Sequence, residues 1–223
     1  MTFPRESDQP ALYVSASKSP EYTRRVESNG HSVAPLVPEN VLELAACCVR
    51  FVHAAVGVEL DFTSDTLPLL DHYAAVARED LRQRPEARPL LAQSMGAYFG
   101  QVIAAELTGF WRAVEPNPDL WLLCIQPVFL AINPVGIAHE MIAGSDQHEG
   151  PSAELRVARE DRELVAQRLA SLPELSDTDY YTFSTRFDAI QIVIAALTEQ
   201  MHEGGIEGVT FDLSDYQDEL GDV

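Results

Sequence analysis

His139-Glu140 and His148-Glu149 come nearest to a metal-binding spacing in this chain. A histidine followed by glutamate on a helix is half of a zinc-protease pattern, but Ala143 stands where the second histidine would have to be. Zinc needs three or four convergent ligands, so His139, His148 and Asp146 would hold one only if the loop folded back on the helix. The competing reading is a solvated loop beside a capped helix end, and neither a metal nor another cofactor is expected. Asp61, Asp65 and Asp71 flank the start of a helix, where paired carboxylates could do general acid–base work or hold magnesium. Against this, Asp61 and Asp65 sit where capping and the helix dipole favour acids. Trp111 and Trp121, with Arg112 beside one of them, could form an aromatic binding platform or simply close the core. His53 and His72 read as structural or exposed helical residues. A Gly-x-Ser-x-Gly elbow, a phosphate loop, a dinucleotide-binding glycine fingerprint and a Cys-x-x-Cys pair are all missing from the sequence. A site would therefore have to be assembled from scattered residues, with Asp61, Asp71, Tyr98, Trp111 and His139 as the ligand-binding candidates.

The elements that must position these residues are predicted from periodicity. Val41, Leu44, Cys48, Phe51 and Ala55 predict a helix over 39–55, with Asn40 as cap and Gly57 as exit. A second helix begins near Ser64 or Thr66, buries Leu67, Leu70, Ala74 and Ala77, and ends before Pro85. A third, over 90–107, carries Leu91, Met95, Tyr98 and Val102, with Gly96, Gly100 and Ala104 on a second stripe. Each interior glycine costs a helix about 1 kcal/mol relative to alanine, so a close backbone approach by a neighbour or a ligand is expected there. Residues 110–114, 120–126 and 128–132 predict strands, followed by a short helix over 134–143 closed by Gly144. A helix over 151–171, with i, i+4 pairs Arg156/Glu160 and Arg159/Glu163, then an extended stretch over 180–185 and a last helix over 186–202 complete the reading. The expected fold class is α+β, helices packed on a small antiparallel β-sheet.

Charge is the strongest compositional signal. The net charge is −20. Residues 1–38 are balanced and the last 21 carry seven acids and no base, which leaves −13 to the segment between. Such a field repels phosphate backbones, so nucleic acid is not an expected partner, while a basic protein partner would be drawn in. Residues 1–38 read as a disordered N-terminal arm, 39–203 as a single globular domain, and 204–223 as an acidic C-terminal tail. The N-terminus has neither the basic start nor the apolar core of a signal peptide, and no stretch approaches the roughly 20 apolar residues of a membrane span. Three cysteines, Cys47, Cys48 and Cys124, fit small buried side chains without a disulfide framework. A cytoplasmic location without membrane association is therefore expected.

Leu60-Asp61-x5-Leu67-x3-Asp71, then Gly96-Ala-Tyr98-Phe-Gly100, then Gly109-x-Trp111, resemble a pattern in bacterial proteins of the domain-of-unknown-function kind. The resemblance covers about residues 40–135. It implies a bacterial origin and a compact α+β fold, and no established activity. Those proteins often carry an acid after the second glycine, where this chain has Gln101. Together these readings favour a non-enzymatic interaction module, an adaptor, regulator or immunity-type inhibitor that binds a partner through an acidic surface. An enzyme or small-ligand binder with a scattered site is the alternative.

Overall fold

A computed structural model describes residues 37–113, 116–206 and 208–220, so the arm over 1–36 and Val114 at the end of the first expected strand lie outside the described residues. Helix α1 spans Glu39–Val56 and ends where Gly57 takes a φ of 72°. Its buried residues are Val41, Ala45, Cys48 and Val52, so Val41 and Cys48 lie on the buried face as expected, whereas Leu44 and Phe51 are only half-buried and Ala55 is exposed. Helix α2, Leu67–Gln83, buries Leu67, Leu70, Ala74, Ala77 and Leu81, as its period requires.

Helix α3, Arg88–Leu107, is buried nearly all round and forms the axis of the fold. Its glycines mark two close approaches. A Cβ on Gly96 would stand 2.7 Å from Val135 Cα, and one on Gly100 would enter the Trp111 indole. The segment at Pro134–Val135 and the Trp111 indole are therefore seated against the backbone of α3, which explains two residues that weaken a helix.

Strands β1 (Gly109–Arg112), β2 (Leu122–Ile125), β3 (Leu130–Ile132) and β4 (Arg156–Val157) form an antiparallel sheet in that order. Helix α4, Pro134–Ala143, follows β3 and is capped by Asn133, whose side chain accepts from the Gly136 N–H at 2.9 Å. The fold is α+β, as expected, but residues 151–171 are not one helix. Residues 151–154 are irregular, Leu155 forms a β-bridge, β4 follows, and helix α5 covers only Arg162–Ala170. Ala153, Leu155 and Val157 are buried alternately, so a strand period prevails over the charge pairs that suggested a helix. Residues 180–185 are likewise not extended. A helical turn α6, Asp177–Tyr180, runs into α7, Phe183–Glu203, whose cap Thr182 accepts from the Thr185 N–H.

Register places Trp111, Leu123, Ile125, Leu130, Ile132 and Val157 on the sheet face that joins the main core. Phe110, Leu122, Cys124 and Ala131 point the other way and form a second apolar cluster with Phe129, Ala158, Phe211 and Tyr216. The segment read as an acidic tail thus returns to the sheet as a strap ending in helix α8, Leu213–Leu220. The Phe211 N–H donates to the Gln126 carbonyl at 2.9 Å. Burial pushes the Cys124 thiol up to about 12, so it stays protonated under this cover. No helix among the described residues is long and apolar enough to cross a membrane.

Candidate functional site

The connection between α1 and α2 gathers two of the five candidates. Phe62 adopts a φ of 64°, a left-handed conformation that costs an L-residue with a Cβ about 1–2 kcal/mol. Its N–H donates to the Tyr98 hydroxyl at 3.0 Å, and its ring lies 4.9 Å from the Tyr98 ring. Thr66 Oγ1 lies 2.7 Å from the same hydroxyl and 3.2 Å from Asp61 Oδ1. A hydrogen-bond chain therefore runs from the Phe62 amide through Tyr98 and Thr66 to the Asp61 carboxylate. Asp61 also accepts from the Thr63 hydroxyl and N–H, bonds that hold its carboxyl below the usual range. Tyr98 is fully buried, and burial is the largest influence raising its phenol above the ordinary value.

Around this chain the surface is acidic. Glu106 grips the loop, accepting from the Ser64 N–H at 2.6 Å and the Ser64 hydroxyl at 2.9 Å. Glu59, Asp61, Asp65 and Glu106 are all exposed. Residues 51–77 and 89–111 contain neither lysine nor arginine. Phe62 stands in this setting with 39% of its surface exposed, its ring laid over the buried Tyr98 ring by a strained backbone.

The other candidates are held elsewhere. Asp71 accepts from the Phe183 and Ser184 N–H groups and the Ser184 hydroxyl, so it caps α7 from α2. Burial raises its carboxyl, against the pull of those bonds. Trp111 donates to Gln101 Oε1 at 3.1 Å and meets Trp121 edge-on at 6.3 Å, closing the core over Gly100. His139 stacks on His148 at 5.7 Å, its ring against the Gly150 backbone. No group of three or more His, Cys, Asp or Glu among the described residues is placed to hold a metal.

Set against protein-family models, curated proteins and solved structures, this chain matches none.

Geometry and electrostatics therefore carry the reading, and they divide the candidates. Asp61 and Tyr98 meet at one surface loop, whereas Asp71, Trp111 and His139 serve separate junctions. Helical periodicity named Tyr98 and the carboxylates at the start of the second helix named Asp61, but neither signal named Phe62 or Glu106. An exposed phenylalanine at positive φ has no sequence signature, and Glu106 reaches the loop across 42 positions.

The histidine pair has a pH consequence. Burial is the first cause lowering both rings, the two oppose each other's protonation, and Arg88 adds to this while Asp119 and Asp146 oppose it. The Gly150 N–H donates to His148 Nδ1 at 3.0 Å, which requires that nitrogen to be unprotonated. Folded histidines thus bind fewer protons than unfolded ones below a pH of about 6.5, and stability falls as pH falls through that range. Asp71, Glu140 and Asp161, raised by burial, slope the opposite way. Urea melts of wild type and His139→Gln over this range should cancel the carboxylates and leave a shallower acid-side loss in the variant. Parallel curves would show that the pair does not titrate with folding.

Proposed function

We propose that this protein is a non-catalytic interaction module that docks a basic protein partner on the acidic surface around Phe62. The observation that carries this reading is the exposed Phe62 ring, fixed at a φ of 64° by the Tyr98 hydroxyl and rimmed by carboxylates. Interfaces concentrate their energy in a few rigid aromatic anchors, and a ring of charge steers the approach. The partner's matching surface is an apolar recess bordered by lysine or arginine. The net charge of −20 extends that steering beyond the loop. An adaptor, a regulator or an inhibitor of the partner would all use such a surface.

Phe62→Gly separates binding from folding. Glycine adopts positive φ freely, so the backbone relaxes while the anchor disappears. Wild type and Phe62→Gly, immobilised in extract of the source cells at low and high salt, should differ by one stoichiometric basic protein. Wild type retains it at low salt and releases it at high salt, because exposed charges are screened. The variant binds it about 30-fold more weakly, the loss of a hot spot worth about 2 kcal/mol, and a cooperative urea transition shows that it is folded under the binding conditions. Retention by both proteins alike, a complex indifferent to salt, or no stoichiometric protein at either salt would each overturn the proposal.

A further inference from the structure

A recess of about 240 Å³ lies between the carboxyl end of α7, the turn at Arg159–Asp161 and the root of the C-terminal strap. It lies on other elements than the Phe62 loop. Phe129, Leu197, Met201 and Phe211 supply apolar walls, and Phe129 and Phe211 meet edge to face with centroids 5.7 Å apart. The polar side is formed by Glu160, Asp161 and Gln200, and no basic side chain among the described residues lines it. We propose that this recess is a binding site for a small organic ammonium compound with an apolar body.

Each wall contributes to that assignment. Asp161 accepts from Gln200 Nε2 at 3.0 Å, which leaves most of the carboxylate's acceptor capacity unused. Burial, and then the neighbouring Glu160, push the Asp161 carboxyl above its ordinary value, as happens where a negative charge lacks a counter-charge. An ammonium group brings three N–H donors and one positive charge, which suits two neighbouring carboxylates. The apolar walls accept an apolar body beside it. The volume falls below the roughly 300 Å³ at which drug-sized pockets begin, so the ligand is of fragment size. A carboxylate of the same shape would meet two like charges, and a neutral alcohol would leave them uncompensated.

The test uses the full chain with three probes of one shape: 2-phenylethylamine, 2-phenylethanol and 3-phenylpropionate, followed by methyl NMR. The amine should shift the methyl signals of Val128, Leu197, Met201 and Ile206 saturably, with a Kd on the order of 1 mM for so small a ligand. It should bind at least about tenfold more tightly than the alcohol, and the propionate should not bind. Asp161→Asn, and separately the exposed Glu160→Gln, should each reduce amine affinity several-fold and leave the alcohol unchanged. Equal binding of amine and alcohol, shifts at other methyls, no shift at all, or amine affinity untouched by both variants would overturn the assignment. A blocked lysyl-phenylalanine dipeptide that binds as tightly as the amine would assign the recess to a partner's lysine and overturn the small-molecule reading.

Discussion

Replacing Arg186 with Met lowers the unfolding free energy by about 3–5 kcal/mol, the cost of leaving one member of a buried ion pair without the other. Arg186 lies on α7 with only 4% of its side chain exposed, and its guanidinium donates to Glu140 on α4, itself 14% exposed. The Tyr180 ring sits 5.8 Å from the guanidinium carbon. Burial is the first cause raising the Glu140 carboxyl, and the Arg186 charge is what restrains it. Methionine fills much of the arginine's volume, so the loss reports the uncompensated carboxylate rather than a cavity. The sign with pH follows from proton counts. Removing the guanidinium raises the folded pKa of Glu140 further above its unfolded value, so the folded variant binds more protons than the unfolded chain. Its stability therefore falls as pH rises from about 4.5 through that raised pKa. Urea melts at about pH 5 and about pH 7.5 should show a smaller deficit at the lower value. Adding Glu140→Leu should recover most of the loss, because an apolar pair can replace a buried ion pair at little cost. An equal deficit at both pH values, with no recovery in the double variant, would show that Arg186 acts through packing alone.

That ion pair also shows where the sequence stops being informative. The α+β class, the glycine-marked α3 and the apolar face of α2 follow from local periodicity and chain-breaking residues, which need no tertiary knowledge. Glu140 and Arg186 are 46 positions apart, and Asp71 caps a helix 112 positions later. No local pattern announces such partners. In 151–171 two local signals compete. Arg156/Glu160 and Arg159/Glu163 imitate a helix surface, while the alternation of Ala153, Leu155 and Val157 is that of a strand. The strand prevails because β4 gains a hydrogen-bonding partner in β3. At the site, Asp61 and Tyr98 were legible as residues worth examining, but their connection depends on Thr66 and on the backbone of Phe62. Seven acids and no base in 203–223 give the segment the look of a tail, and that charge concealed the two aromatic residues that decide its path, Phe211 and Tyr216.

Replacing Tyr216 with Ala releases the strap from the sheet and leaves the main core folded. The tyrosine is fully buried, its ring stacked on Phe129 at 4.5 Å and edge-on to Phe110 at 5.8 Å. Its hydroxyl accepts from the Leu130 N–H at 2.9 Å and lies 2.7 Å from the Ile125 carbonyl oxygen, inside the turn that joins β2 to β3. Truncating such a ring in a rigid core costs about 3–5 kcal/mol. The strap has a cheaper response, because its contacts belong to a cluster separate from the main core and joined to it by Met201. Gly204, Gly205 and Gly208 precede it, the last two at φ 70° and 68° with open space around them. The measured loss is therefore capped at the free energy of docking the strap. Hydrogen exchange distinguishes this from global destabilisation. In Tyr216→Ala the Phe211 amide, which donates to Gln126, should exchange rapidly, while amides of α3 keep wild-type protection. Tyr216→Phe keeps the ring stack and removes the hydroxyl, so it should cost only about 1–3 kcal/mol and leave the strap docked. If α3 and the strap lost protection together in the alanine variant, the two apolar clusters would be one cooperative unit. The C-terminal segment would then be part of the core and not a strap laid over it.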